Sequence, residues 1–294
     1  MNQLKKYFSF SAMLLYCFCL HAQTDSVHQI NKKRLSGLII GSSVAYVGTM
    51  IGLSTIWYSN YDKQSFHFFN DASEWKQVDK VGHFYSAFQF SNLASKGLQW
   101  SNVPQEKSDK IGALTGFAIL SSIEVLDGFS AGYGASVSDL VANAAGSAFY
   151  LGQNLIWSDV RIYPKFSFHT TEYPDQSSND LLGSSPAEQI IKDYNGQTYW
   201  LSVDIDKFIK FPKWINLAVG YGAEDMIYAN DSQNREAGYD PYRQFYLSID
   251  FDLTSIRTTS KLAKSLIFIA NMIKLPGPTL EFSKKGIKAY PLYF

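Results

Sequence analysis

The chain has 294 residues, of which 46% are apolar, 16% aromatic and 18% charged, and its 26 basic residues are balanced by 26 acidic ones. That balance removes the basic footprint a nucleic-acid binder needs, and the length is enough to bury a sizeable core in one large domain or two modest ones. A charged fraction below the roughly 25% of soluble domains, together with 19 Tyr and 21 Phe, leans toward a membrane interface.

The first stretch holds Lys5 and Lys6, an apolar run over residues 7–20 and a small residue at Ala22. This is the three-part plan of a secretory signal, so residues 1–23 read as a signal peptide and the chain as exported. Cys17 and Cys19 both fall inside it, which leaves the mature chain without disulfides, thiolate catalysis or Cys-ligated metal. Neither Cys follows the small residues of a lipobox.

Residues 30–157 read as a membrane-associated domain, a small-residue-rich four-helix bundle. Residues 35–57 carry no charge, follow Lys32, Lys33 and Arg34, and end at Trp57 and Tyr58. Such a run can cross a bilayer, at about 20 residues per crossing; a buried core helix is the alternative. Gly37 and Gly41, then Gly48 and Gly52, repeat the spacing that lets a second helix approach closely. A second helix is expected from Asp71, with Glu74 three positions on as a capping box. The third is expected from near Pro104 to Asp127 and Gly128, and the fourth from Ser136 to about Trp157. Gly112 and Gly116, then Ala144, Ala148 and Gly152, give these helices small faces as well, as one tight bundle requires.

Against this background the ionisable groups stand out by spacing. Asp79 and His83 are four apart, Glu124 and Asp127 three apart, and Asp139 and Asn143 four apart, so each pair shares a helix face. Pointed at one centre, these carboxylates and the imidazole can act as general acid and base or offer oxygen ligands to a hard divalent cation; the sequence assigns no metal and no cofactor. Each also has an ordinary explanation: Ser136 and Asp139 match a capping box, His83 can bond back to Asp79 at a water boundary shared with Lys80, and Asp127 belongs to an Asp-Gly turn.

The succession Asp79-Lys80-x-x-His83, then Glu124-x-x-Asp127-Gly128, then Ser136-x-Ser138-Asp139-x-x-x-Asn143-x-x-Gly146 resembles the YfiM-like family of predicted periplasmic lipoproteins, a domain of unknown function. A similar order of short motifs resembles, more weakly, the VanZ-like membrane proteins linked to glycopeptide-antibiotic tolerance. The first resemblance implies an envelope location and no particular chemistry, and the chain departs from the lipoprotein label by lacking a lipobox Cys.

Past Trp157 the texture changes. Residues 158–196 read as a linker with a first extended segment, and residues 197–294 as a strand-rich C-terminal region. Leu201, Val203 and Ile205 alternate with polar residues, as do Ile215, Leu217, Val219 and Tyr221, and then Phe245, Leu247, Ile249 and Phe251. Period two predicts strands with one apolar and one polar face. Residues 222–242 read as a long hairpin loop, and residues 258–274 as an amphipathic helix with Leu262, Leu266, Ile269 and Ile273 on one face. The strands resemble those of outer-membrane barrels, although four or five are fewer than the about eight of known single-chain barrels.

The fold class expected is therefore α+β, a helical bundle followed by an antiparallel strand-rich tail. The function expected is that of an envelope protein of the outer membrane or periplasm, with the inner membrane as the alternative. It would be a structural or binding protein for a lipid-like or peptidoglycan-related component. The alternatives are a membrane-embedded hydrolase or transferase using the Asp/His/Glu group, and a transporter component. Membrane lipid or an envelope component is the expected partner, nucleic acid is not, and a homo-oligomer or an envelope protein partner stays open.

Overall fold

A computed structural model describes residues 29–57, 61–177 and 181–293; the expected signal peptide, with Cys17 and Cys19, lies outside the described residues. Helices come first and strands after, so the fold is α+β. The helices α1 (Lys32–Trp57), α2 (Val78–Trp100), α3 (Gln105–Asp127) and α4 (Val137–Trp157) fall close to where the apolar runs place them. Pro104 caps α3, and the Ser136 hydroxyl accepts the Asp139 N–H at 3.0 Å to start α4, a contribution of about 1 kcal/mol for such a cap.

The small residues explain how α2, α3 and α4 meet. A Cβ at Gly112 would stand 2.5 Å from the Ser91 carbonyl oxygen, one at Gly116 2.5 Å from that of Ala87, and one at Gly146 2.1 Å from that of Phe84. Only glycine lets the backbones come this close. Beside a buried cluster of Phe88, Ala113 and Tyr150, many side chains at the contacts are polar: Ser95 and Tyr150 both donate to Asp109 at 2.6 Å, and Ser91 donates to Ser147 at 3.2 Å. The close core thus has three helices rather than the four expected. Helix α1 leans on it through Leu38 against Gly97 and a Tyr46 hydroxyl bonded to Ser122 at 2.7 Å. Its glycines Gly37, Gly41, Gly48 and Gly52 face open space, and over Lys32–Thr55 it is long and apolar enough to cross a membrane.

The start of α2 departs from the expected capping box. Asp71 precedes a short turn that Glu74 opens, and Trp75, Lys76 and Gln77 take left-handed backbone angles, φ 47°, 51° and 65°, before α2 opens at Val78. Left-handed conformation costs a non-glycine residue about 1–2 kcal/mol, so three in succession need external support. The Trp75 N–H donates to the Ala229 carbonyl at 2.9 Å and its ring packs on Tyr194 at 5.0 Å. Lys76 pairs with Asp231, and its carbonyl accepts the Tyr221 hydroxyl. Partners about 150 residues away therefore set the entry angle of α2. They also turn Asp79 and His83 toward the other helices.

A short parallel pair, β1 (Phe68–Phe69) and β2 (Ala135–Ser136), brings Asp71 beside the start of α4. The main sheet is an antiparallel meander of β3 (Ile162–Phe168), β4 (Gln197–Val203), β5 (Ile215–Glu224), β6 (Tyr242–Phe251), β7 (Gly277–Ser283) and β8 (Gly286–Tyr293), six strands where four or five were expected. Helix α5 (Pro186–Lys192) precedes β4. Helix α6 (Asp231–Glu236) occupies the segment expected as a plain hairpin loop, and α7 (Lys261–Ala270) the expected amphipathic stretch. Along β6, Gln244, Tyr246, Ser248 and Asp250 are buried while Phe245, Leu247 and Ile249 are exposed. The polar face of the sheet is its inner one. Helix α2 packs against part of the apolar face, with Tyr85 on Phe166 and Tyr199 at 6.0 and 5.7 Å.

The helix contacts make a direct prediction. Gly146→Val should lower stability by about 1–3 kcal/mol or more, the usual cost of overpacking, whereas Gly152→Ala, where a Cβ meets nothing within 4 Å, should leave it unchanged or slightly raised. Thermal unfolding of the two purified variants separates these outcomes.

Candidate functional site

Three helix ends converge below the left-handed turn. Asp79 and His83 come from the first turns of α2, Glu124 from the last turn of α3, and Asp139 and Asn143 from the first turns of α4. His83 is the centre of the group. Its Nδ1 donates to Asn143 Oδ1 at 3.0 Å and lies 3.7 Å from Glu124 Oε1, while its Nε2 lies 3.7 Å from Asp79 Oδ1 and 3.9 Å from Asp139 Oδ2. The residues singled out by spacing thus meet, with one exception. Asp127 sits one turn further along at the Asp-Gly corner, where its carbonyl accepts the Ser130 N–H at 2.9 Å.

The expected bond from His83 back to Asp79 is a longer ion-pair contact. Asp79 instead accepts the Tyr194 hydroxyl at 3.0 Å. Lys80, expected at a water boundary, is drawn inward: its ammonium lies 2.5 Å from Asp71 and 2.9 Å from both Asp79 and Asp139. Asp71 also accepts the Ser136 and Ser138 hydroxyls at 2.5 and 2.8 Å. Spacing within one helix could not reveal Lys80 as a bridge, because its partners lie on three segments. Tyr194 was equally hidden, lying 115 residues from Asp79.

One capping detail frees a carboxylate. In a capping box the third helical residue reaches back to the cap N–H, but here the Ser136 N–H donates to Glu124 Oε2 at 3.0 Å. Asp139 accordingly keeps its side chain for Lys80 and His83. Its backbone N–H is capped by the Ser136 hydroxyl while its carboxylate joins the cluster.

The electrostatics follow from this wiring. Burial pushes the Asp71 carboxyl up, but the Lys80 ammonium and the Ser136 and Ser138 hydroxyls outweigh it and hold it below its ordinary value. Burial and the nearby Asp79 carboxylate push the Tyr194 phenol well above its ordinary range, so it remains a donor. Four carboxyl groups, Asp71, Asp79, Glu124 and Asp139, face one ammonium and one imidazole. Glu124 Oε1 and Asn143 Nδ2 are buried with no hydrogen-bond partner among the described residues, and a buried polar atom left unpaired costs about 1–3 kcal/mol. The group stays reachable at its edge, where the Asp79 and His83 side chains are 20% and 16% exposed.

Asp79, His83 and Asp139 offer ligand atoms within 4.8 Å of one another, a set that suits a divalent cation. The Lys80 ammonium already bridges two of these carboxylates, so a metal ion would have to share or displace it. Proton exchange through His83 needs no such rearrangement.

Residues 67–153 match the model of a family described as predicted periplasmic lipoprotein (DUF2279). The matched stretch runs from before β1 into α4 and contains Asp71, Asp79, Lys80, His83, Glu124, Ser136, Asp139 and Asn143. It carries the lipoprotein description and neither a YfiM nor a VanZ name. No curated protein and no solved structure matches the chain. The family description and the apolar N-terminal helix make the chain an exported, envelope-associated protein; the description names no activity.

Lys80→Met tests the wiring. Removing the ammonium leaves Asp71, Asp79 and Asp139 facing one another without it, and breaking a buried ion pair from one side costs about 3–5 kcal/mol. The melting temperature should fall accordingly. Added Ca²⁺ or Mn²⁺ should recover part of the loss in the variant while leaving the wild type unmoved.

Proposed function

We propose that this envelope protein binds the amine-bearing polar group of a lipid-like or peptidoglycan-related molecule at the His83 centre. The observation that carries the reading is the pair of unpaired buried atoms, Glu124 Oε1 and Asn143 Nδ2, beside an imidazole that three carboxylates surround. A ligand whose ammonium donates to Glu124 Oε1 and whose neighbouring hydroxyl or carbonyl oxygen accepts from Asn143 Nδ2 would satisfy both. Acceptor oxygens from the carboxyl groups outnumber the donors around His83, which favours a donor-rich guest such as an ammonium over a phosphate or carboxylate.

A second reading has its own support. His83 stands between Asp79 on one side and Glu124 on the other, the arrangement in which a base is oriented by one carboxylate and served by a second acid. Under that reading the protein is a hydrolase or transferase on the same envelope component, with His83 as base and Glu124 as acid.

Native mass spectrometry of the protein released from its own membranes in mild detergent tests both. The wild type should carry a bound amine-containing lipid or glycan fragment. His83→Ala and Asp139→Asn should lose it by at least tenfold in occupancy while keeping the wild-type circular dichroism. Equal occupancy in all three proteins would remove the His83 centre from ligand binding. Incubation with extracted envelope lipids and muropeptides then separates the readings: a new product formed by the wild type and not by His83→Ala supports the enzyme, and an unchanged mixture supports the binder.

A further inference from the structure

Around small apolar clusters such as that of Phe88, Ala113 and Tyr150, much of the body has reversed polarity, and it is reversed twice by independent elements. On α4 the buried positions are Asp139, Asn143, Gly146, Ser147, Tyr150 and Gln153, mostly polar, whereas Val137, Val141, Leu155 and Ile156 are exposed, Val141 at 62% and Ile156 at 73%. On α2, Gln89, Ser91, Asn92 and Ser95 are buried while Phe90 and Leu93 are exposed. The sheet does the same, since its inner face holds Lys165, whose ammonium lies 2.7 Å from Asp250 with both side chains fully buried. Its outer face shows Val219, Leu247, Ile249, Leu280 and Ile287 to the surroundings.

The sheet also curls upon itself. The free edge of β3 is bonded by the segment that leads into β7, Phe166 N–H to the Met272 carbonyl at 3.1 Å and Lys274 N–H to the Phe166 carbonyl at 2.9 Å. Across the inside, the Tyr293 hydroxyl bonds Tyr246 at 2.8 Å and lies 3.1 Å from that of Thr198. A curled sheet that buries polar side chains around a Trp200, Tyr246 and Tyr293 cluster and shows an apolar exterior shares the polarity of outer-membrane strands; soluble proteins seldom expose apolar surface on this scale.

We propose that α2, α3, α4 and the curled sheet form one body embedded in the outer membrane, their exposed apolar faces meeting lipid hydrocarbon. The inference rests on polarity and not on the ligand reading of the His83 centre. The longest elements match the membrane: β5 and β6 have 10 residues each, and α2, α3 and α4 have 23, 23 and 21, against about 9–11 residues for a tilted membrane strand and about 20 for a helix; the flanking strands, of 7 or 8 residues, are shorter. The ends of the band are marked as interfaces are. At one end Arg34 lies over Trp100 and Arg161 over Trp157, each at 5.1 Å, with Trp214 beside β5. At the other end are the His83 centre and the polar loop carrying α6. Alone among the described helices α1 has the overall apolarity of a crossing helix. The polar inner faces of α2, α3 and α4 let these segments pass the inner membrane and assemble in the outer one, as barrel strands do.

The test uses the full chain with Cys17 and Cys19 replaced by Ser, and nitroxide labels placed singly at Val141, Leu247 and Ile287, with Gly238 in the polar loop as control. In vesicles of phosphatidylethanolamine and phosphatidylglycerol, oxygen should reach the first three labels several-fold more readily than a water-soluble nickel chelate, and the order should reverse at Gly238. Chelate access at all four positions would overturn the proposal, as would labels shielded from both quenchers, which would mean a protein covers the faces. For the unlabelled protein, tryptophan fluorescence should be quenched more by lipids brominated near the head group than by lipids brominated near the chain end, and absence of quenching by either overturns it. The protein should sediment with outer-membrane fractions on a density gradient; recovery in the inner-membrane or soluble fraction overturns the assignment.

Discussion

A buried polar atom must find a polar partner, and in this protein that constraint fixes how the helices meet. The apolar cluster of Phe88, Ala113 and Tyr150 does not by itself orient α2, α3 and α4, because their contact faces also carry Ser91, Ser95, Asp109, Asn143 and Ser147. Close approach through Gly112, Gly116 and Gly146 brings those side chains into range, and hydrogen bonds then select one register. Helix stacking by small residues and hydrogen bonding by polar ones thus act together. The His83 centre is the charged end of that same seam.

The centre depends in turn on strain held elsewhere. Left-handed geometry at Trp75, Lys76 and Gln77 persists because the segment around Ala229 and Asp231, together with Tyr221 on β5, grips the turn. Strained backbone near a functional constellation is maintained only where its surroundings over-determine it. The strand region therefore does more than follow the helices: it sets the angle at which Asp79, Lys80 and His83 enter the cluster.

Local pattern carried much of this into the sequence. Period-two alternation located β4, β5 and β6, and the small-residue runs located the helices, because both signals are written within ten to twenty residues. The alternation over residues 245–251 did not say which face is inside; that depends on the curl of the sheet and the surroundings of the body. The start of α2 was missed because its left-handed turn is decided by residues some 150 positions away. Pairwise spacing found Asp79, His83, Glu124, Asp139 and Asn143, yet it could not find Lys80 or Tyr194, whose roles exist only once distant segments are folded together. Asp127 satisfied the spacing and fell outside the cluster, since three residues along a helix end is also the geometry of a turn.

That the ionisable groups of three helices are energetically joined is the claim beneath all of this, and a double-mutant cycle between His83 and Asn143 measures it most directly. Unfolding free energies of the wild type, His83→Ala, Asn143→Ala and the double variant should give a coupling within the about 0.5–3 kcal/mol found for residues in one buried network. Additivity to within about 0.3 kcal/mol would contradict the account and reduce the centre to side chains that are merely near one another.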